Sequence, residues 1–388
     1  MKKRGVVDLQ FNWIFVLIAG AVILAIFFAV ANSLKQSSDD KIDLEVSTDL
    51  KSILIGAKVS TDSSNVIPIP SSDITIEADG IKVGALQSIK LGTVFGPHKI
   101  EGNKMIVWSR DWSIPFRIAN FLYVTSPKVK YYFVVGSSIS PPKHTSVSVG
   151  NVLYDDITDF LDDIPKDVNV ETVEKCVDLL LPTMQFSKAM HIRVVVIGEV
   201  ADCKTMINTA DNLYKIKEKL KSHPMGGSIV DVKLFEGTDT FESGTVDIWS
   251  RWPGTAEESF SNPDAFYGDA TLYGAIFSDP KVYEQSMNVA MTSAGMVFTL
   301  YSRRTSALTN WAKSESFSTC ESIYGSAHGE FNALSSMKLD FLDTKDMVGK
   351  DKDGNEIVSS TTKSFYETVS SIEGYNNEAQ VESCPSIY

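Results

Sequence analysis

The chain has 388 residues and a formal net charge of −13, from 36 lysines and arginines against 49 acidic side chains. This acidity argues against a nucleic-acid partner, whose phosphates need basic side chains, and against binding to anionic membrane surfaces. After a short N-terminal segment, the length suits two domains, with one large domain as the alternative.

The first predicted element is a membrane-spanning helix. Residues 13–31 carry no polar or charged side chain, and three basic residues occupy positions 2–4. At 1.5 Å per residue, such a helix matches a hydrocarbon core about 30 Å thick. The positive-inside rule then assigns residues 1–10 to a cytoplasmic tail. We expect residues 11–34 to cross the lipid bilayer of the plasma membrane once, with the bulk of the chain extracellular.

The residues around Gly5 resemble the class III signal segment of archaeal and bacterial type IV pilin-like proteins. The resemblance lies in Arg4-Gly5, a short stretch after it, and the unbroken apolar helix that follows. In that family a peptidase cuts after the glycine and keeps the helix, which would make Val6 the new N-terminus. Gln10 stands where the family usually carries Glu, whose carboxylate can neutralise a neighbouring subunit's amino group. The match is incomplete at this position.

Two other fates of this segment stay open. A plain membrane anchor would keep Met1, and a secretory signal peptide would be cut between Ala31 and Asn32, where small residues fit the usual pattern. The apolar run is long for a signal peptide, whose apolar core is usually about 7–15 residues. The processing candidates are therefore Gly5, Val6, Ala31 and Asn32.

A polar stalk is predicted at residues 35–45, followed by a β-rich, membrane-proximal module at 46–149. Alternating apolar and polar residues surround Asp79-Gly80, a dipeptide typical of hairpin turns. Further strand-like runs follow, and one helical passage is predicted near 116–123.

Residues 150–388 predict an α/β domain. A buried strand at 190–198 precedes helical spacing at 206–220 and two further strands, an order that predicts a right-handed β-α-β crossover. Asp279-Pro280 predicts the start of a long helix, because Asp is favoured at the N-cap and Pro in the first turn. The stretch ATLYGAIF before it is predicted as a strand. A hairpin of two short strands and a terminal helix complete an α+β fold.

Four cysteines follow the apolar segment, an even number that is typical of disulfides on the oxidising side of a membrane. We favour two bonds, each within one region of the chain, and four free thiols are the alternative. The expected pairs are Cys176 with Cys203 and Cys320 with Cys384.

Catalytic and metal-binding motifs give little support to an enzyme. The five histidines contain no H-E-x-x-H motif, the phosphate-binding glycine motifs are absent, and no cofactor is expected. An acidic cluster offers one candidate cation site, although such runs more often form a solvated helix start. Metal binding is therefore left open. The cluster comprises Asp155, Asp156, Asp159, Asp162 and Asp163.

Two similar motifs, VWSRDWS and IWSRWPG, each carry two tryptophans flanking an arginine. Exposed Trp beside Arg can stack on a sugar ring or hold a protein partner. The alternative is that these tryptophans pack in the core. The candidate partner-binding residues are Trp108, Trp112, Trp249 and Trp252.

Three blocks, IPFRIANFLYVTSP, LYGAIFSDPKVYE and SCPSIY, resemble blocks in uncharacterised archaeal membrane-anchored cell-surface proteins that share the N-terminal segment. The resemblance brings no known activity and no site residues. Together with the membrane segment, it leads to the hypothesis of a single-pass protein for cell-surface interaction or envelope assembly, with a protein or glycan partner. A type IV pilin-like filament subunit or minor pilin is one alternative. A surface-anchored hydrolase acting on envelope polymers is the other, although an enzyme is less favoured.

Overall fold

The computed structural model describes residues 5–60, 64–69, 74–77, 80–84, 86, 88–135, 160–173, 190–197, 209–234, 243–253, 256–259, 264–337, 348–350, 356–358 and 360–388. Over these residues the protein has a mixed α+β fold with an N-terminal apolar helix, as the sequence predicts.

The first helix, α1 (Gly5–Val59), runs without a break through the apolar segment and the predicted stalk. Its segment Val16–Lys35 has a mean hydropathy of 2.4 and is not buried by the protein. Within the described residues it is the one helix long and apolar enough to span a membrane, a test that a signal sequence also passes. The last turns are different, because Leu50, Leu54 and Ala57 are buried.

This burial corrects the predicted start of the β-rich module. The spacing of four and three residues between the buried positions keeps one helix face on the protein, so the helix continues to Val59. Strands begin only at Ser64 rather than at residue 46.

Two small sheets form the β-rich module. Their strands are β1 (Ser64–Pro68), β2 (Ile74–Glu77), β3 (Gly80–Val83), β4 (Ile89–Lys90), β5 (Val94–Phe95), β6 (Lys99–Ile100), β7 (Lys104–Ser113) and β8 (Arg117–Thr125). One sheet has the order β1-β7-β8-β5 and the other β4-β3-β2-β6. β2 and β3 pair antiparallel with Glu77 opposite Gly80, which confirms the predicted hairpin.

Strand β8 occupies the place of the helical passage predicted near 116–123, and that prediction was wrong. β8 pairs antiparallel with β7 along most of its length, with Trp108 opposite Tyr123 and Arg110 opposite Phe121. Cross-strand contacts such as the aromatic pair of Trp108 and Tyr123 stabilise a sheet and override weak helical spacing.

A larger sheet follows. Its strands are β9 (Val129–Val135), β10 (Asn169–Val173), β11 (His191–Ile197), β12 (Gly227–Leu234), β13 (Ser243–Arg251), β14 (Glu258–Ser259) and β15 (Asp264–Tyr267). The strand order is β10-β9-β11-β12-β13-β14, with β15 also pairing with β13. β10, β9, β11 and β12 are parallel neighbours, whereas β13 pairs antiparallel with β12. The helix α2 (Thr209–Lys221) lies between β11 and β12 in the chain, in the predicted β-α-β order.

Strand β9 was assigned to the β-rich module by its sequence position, within 46–149. It instead pairs in parallel with β10 and β11 in the larger sheet. Its aromatic residues Tyr131, Tyr132 and Phe133 are buried on both faces of that sheet, as expected of a central parallel strand.

The helices that follow are α3 (Asp269–Phe277), α4 (Pro280–Ser314), α5 (Ser318–Ser336) and α6 (Ser360–Val381), and a hairpin of β16 (Val348–Lys350) and β17 (Glu356–Val358) lies between α5 and α6 in the chain. α3 and α4 pack on the strands, α5 packs on α4, and α6 packs on α5. The strand predicted for ATLYGAIF was wrong, since this stretch is helix α3. All of residues 270–277 are buried, so no polar face marks the helical period in the sequence. The long helix begins at Pro280, as predicted.

The C-terminus is fixed to helix α5. Cys320 and Cys384 form a disulfide with their Cα atoms 5.9 Å apart, which confirms that predicted pair. The side-chain oxygen of Asn376 accepts hydrogen bonds from the backbone of Ile387 and Tyr388. The other predicted pair, Cys176 and Cys203, lies outside the described residues.

Candidate functional site

All four tryptophans of the paired motifs are buried, with exposed fractions between 1% and 7%. The indole Nε1 of Trp112 donates to the Tyr267 carbonyl at 3.0 Å, and that of Trp252 donates to Asp279 Oδ2 at 2.7 Å. Trp249 Nε1 lies 3.4 Å from Glu257 Oε2. This burial agrees with core packing, the alternative interpretation, and leaves no ring face open for a partner in this conformation.

One of these tryptophans nevertheless lines a surface cleft of about 340 Å³, at the small end of the usual range for small-molecule sites. The cleft brings the VWSRDWS motif together with the end of the acidic cluster, although the two are far apart in the sequence. It is lined by Ser64, Trp108, Ser109, Arg110, Asp162, Asp163, Ile164, Pro165 and Lys166.

Strand β7 carries one side of the cleft. Trp108 and Arg110 are two residues apart, so both side chains extend from the same face of the strand. The Trp108 ring stacks on Tyr123 at a centroid distance of 5.4 Å and meets Phe277 edge-on at 4.7 Å. These contacts hold the indole in one orientation.

The segment after residue 160 carries the opposite side. The ring of Phe160 stacks on Tyr273 with centroids 4.1 Å apart, and the Tyr273 hydroxyl donates to the Phe160 carbonyl. Ile164 is buried in the core, and its backbone N–H donates to the Leu161 carbonyl at 3.1 Å. A well-anchored wall thus presents three exposed charged side chains, those of Asp162, Asp163 and Lys166.

Arg110 lies between the two sides. Its guanidinium carbon is 4.6 Å from the centroid of the Tyr273 ring, and its Nη2 atom is 2.9 Å from Asp163 Oδ2. Burial lowers the pKa of the Arg110 guanidinium, but the attraction of Tyr273 and Asp163 outweighs burial, and the pKa is raised. The arginine therefore stays cationic and its orientation is fixed from two directions.

Two hydrogen-bond donors at this cleft find no acceptor among the described residues. Trp108 Nε1 and Arg110 Nη1 are both buried, and neither has a partner among the residues that the structure describes. A buried donor without an acceptor costs about 1–3 kcal/mol, and more when the group is charged. Most buried polar groups in native proteins are paired, so two such donors at one cleft leave a place for an acceptor from water or from a ligand.

The acidic cluster does not form a metal site in the described part of the chain. No group of three or more His, Cys, Asp or Glu side chains able to hold a metal occurs there. Asp162 and Asp163 lie at the rim of the cleft, where Arg110 already pairs with one of them. Asp155, Asp156 and Asp159 lie outside the described residues.

A second polar cluster joins Ser302, His328 and Asn332 between α4 and α5, and it resembles a nucleophile with its base. His328 Nδ1 is 2.9 Å from the Ser302 carbonyl, which can only accept, so Nδ1 carries the proton. Nε2 then accepts from the Asn332 amide at 3.1 Å, and the Ser302 hydroxyl donates to Asn332 Oδ1 at 2.7 Å. The basic nitrogen therefore faces Asn332, so it does not activate the serine hydroxyl.

Sequence reasoning missed a fully buried ionic network. Arg193 Nη2 is 2.7 Å from Asp279 Oδ1, while Asp279 Oδ2 accepts from the backbone N–H of His98 and from Trp252, both at 2.7 Å. Arg193 Nη1 also donates to the Ile276 carbonyl at 2.9 Å. The signal was the arginine beside the apolar run of β11, since a buried charge requires a partner. Both carboxylate oxygens are used, so the network serves structure rather than binding.

The processing candidates all lie on helix α1. Gly5 and Val6 are in its first described turn, and Ala31 and Asn32 lie within its exposed, apolar stretch.

Comparisons with protein-family models, with curated proteins and with solved structures found no match to this chain.

Proposed function

We propose that this protein is a single-pass membrane-anchored protein with its folded part outside the plasma membrane, where it serves cell-surface interaction or envelope assembly. The observation that carries the proposal is the continuity of α1. Its exposed apolar part leads without a break into turns that are buried in the β-rich module. A helix of 55 residues is about 80 Å long, so it connects the folded part rigidly to the membrane segment.

The apolar part of α1 needs an apolar environment outside the protein's own fold. Leu24 is 70% exposed and Phe27 is 71% exposed, in a row of similar side chains. Apolar surface of this extent is unfavourable in water and marks contact with a membrane or with other protein. The basic residues at positions 2–4 support a cytoplasmic N-terminus by the positive-inside rule.

A type IV pilin-like subunit is the second candidate. The same free apolar half of α1 supports it, because helices of several copies can bury such surfaces against one another. The Arg4-Gly5 signal supports it as well, whereas Gln10 departs from the family pattern.

A surface hydrolase has less support, because the Ser302 cluster does not activate its serine and the described residues offer no metal cluster.

The proposal is tested by intact mass and N-terminal sequencing of the protein isolated from its native membrane. A chain that starts at Met1 supports a plain anchor, and a chain that starts at Val6 supports the pilin-like subunit. A start at Asn32 would overturn both, since the product would be secreted without its membrane segment.

Topology is tested by labelling intact cells with a membrane-impermeant amine reagent. Lys104 and Lys281 are exposed on the folded part and are expected to react on intact cells. Lys2 and Lys3 are expected to react only after permeabilisation. The reverse pattern would contradict an extracellular folded part.

A further inference from the structure

We propose that the cleft between Trp108, Arg110 and residues 162–166 binds a neutral carbohydrate. The inference deepens the proposed function and rests on it in one respect, since an extracellular cleft would meet the glycans of the cell surface. It adds the position of the binding site and the chemical class of the ligand.

The charges of the cleft favour a ligand without net charge. Two cationic side chains, Arg110 and Lys166, oppose two anionic ones, Asp162 and Asp163. An anionic ligand would be repelled by the two carboxylates at the rim, and a cationic ligand by the guanidinium and the ammonium group. The balance also disfavours a metal ion.

The hydrogen-bonding groups favour a ligand that both donates and accepts. The buried Trp108 Nε1 and Arg110 Nη1 have no acceptor among the described residues, whereas the carboxylates of Asp162 and Asp163 at the rim can accept hydrogen bonds from a ligand. Neighbouring hydroxyl groups on a sugar ring supply both functions from each oxygen. A peptide segment is less suited, because its donors and acceptors are separate groups at fixed spacing.

The remaining surface suits the apolar C–H groups of a sugar ring. Buried Ile164 and half-buried Pro165 line the cleft beside the polar groups. The cleft volume of about 340 Å³ limits the ligand to one or two sugar units at a time. The walls are held by Tyr123 and Tyr273, so little ordering is required on binding.

The test uses the full chain in lipid nanodiscs or in a detergent without a sugar headgroup, because a glycoside detergent would compete. The probes are glucose, galactose, mannose, N-acetylglucosamine and disaccharides of each, with glucuronic acid and inorganic phosphate as charged comparisons. Saturation-transfer NMR detects binding, and isothermal titration gives the Kd of the best ligand. At least one neutral sugar is expected to bind more tightly than both charged probes.

Two variants test the position of the site. Trp108→Phe keeps an aromatic ring and removes the Nε1 donor, and Arg110→Gln removes the charged donor; each is expected to raise the Kd about tenfold. Trp311→Phe and Arg303→Gln change the same residue types on exposed positions of α4 and are expected to leave the Kd unchanged. Asp163→Ala, at an exposed rim position, provides a further variant with little risk to folding and is expected to weaken binding about threefold.

Three results would overturn the proposal: no binding of any neutral sugar, preferential binding of the charged probes, or equal Kd values for the cleft variants and the wild type. If no neutral sugar binds while the same variants abolish cross-linking to a cell-surface protein, the cleft is a protein-binding site.

The binding experiment does not depend on which side of the membrane the folded part occupies. Sugar binding with failed surface labelling would therefore reject the proposed location alone, and surface labelling without sugar binding would reject the ligand alone.

Discussion

Arg193 Nη2 and Asp279 Oδ1 lie 2.7 Å apart, and their side chains are 1% and 0% exposed. The pair connects strand β11 to the junction between α3 and α4, and the His98 backbone brings in the turn before β6. Asp279 stands at the N-cap of α4 but makes no side-chain capping bond, because both of its oxygens face this network. The buried pair thereby joins the β-rich module to the larger sheet.

Removing one member of this pair should be strongly destabilising. Asp279→Ala leaves the Arg193 charge buried without its carboxylate, and we expect the free energy of unfolding to fall by about 3–5 kcal/mol. Urea unfolding of the full chain in detergent, followed by circular dichroism, measures this change. Asp163→Ala removes the exposed carboxylate from Arg110 and should cost less than about 1 kcal/mol. Similar losses for both variants would contradict the role of burial.

Stability should decrease on acidification because of His191. Burial is the main cause that lowers the pKa of His191 to about 3; Arg193 and His223 also lower this pKa, whereas Asp279 and the hydrogen bond with the Met225 backbone raise it. In the unfolded chain the ordinary pKa is 6.5, so between pH 6.5 and about 3 only the unfolded state binds this proton. The free energy of unfolding is therefore highest above pH 6.5 and falls below it, with a slope approaching about 1.4 kcal/mol per pH unit.

The His191 contribution is isolated by comparison with His191→Gln, because carboxyl groups also titrate in this range. Unfolding of both proteins is measured from pH 7 to pH 4. The wild type should lose more stability than the variant as the pH falls. A constant difference between the two curves would show that His191 does not contribute.

The connection of α1 to the folded part should depend on its buried face. Leu54 is fully buried, whereas the neighbouring Ile55 is 47% exposed. Leu54→Ala should cost about 2–5 kcal/mol through lost burial and the cavity left behind, and Ile55→Ala much less. Thermal unfolding of the two variants compares them directly. Equal effects would mean that the end of α1 is not packed on the module as described.

The disulfide between Cys320 and Cys384 should stabilise the C-terminal helices. It closes a loop with a sequence separation of 64, and the chain-entropy model then gives about 4 kcal/mol. The double variant with serine at both positions should unfold at correspondingly lower urea concentration. Addition of reductant should lower the urea midpoint of the wild type. In the double variant the reductant has no bond between positions 320 and 384 to break, so this part of the decrease should be absent. An unaltered midpoint in the double variant would contradict the prediction.

The sequence predicted well those elements whose hydrophobic pattern has a clear period or a clear boundary. The apolar run of α1, the strand β11 and the helix start at Pro280 belong to this group. The pairing of Cys320 with Cys384 was predicted on a different basis, the positions of the four cysteines in the chain. Helix α3 was missed because burial on every side removes the polar face that reveals a helix. Its environment depends on the sheets packed around it, and a local pattern does not contain that information.

The candidate site shows the same division. The sequence identified the residues of VWSRDWS as candidates and suggested that their tryptophans are exposed stacking groups. In the structure Trp108 is buried, and it contributes to the candidate site only by lining the cleft. The contribution of Ile164, Lys166 and Tyr273 depends on the segment after residue 160 lying against β7. Pairings between distant segments follow from the packing of the whole chain.

The sequence by itself determined the acidic character, the mixed α+β class and the presence of one long apolar helix, because composition and local periodicity are sufficient for these properties. The tertiary structure decided where α1 leaves the folded part, which sheet β9 joins, and how Arg193 and Arg110 are paired. These features arise from contacts between residues far apart in the chain, where burial turns a charge or an indole donor into a group that must find a partner.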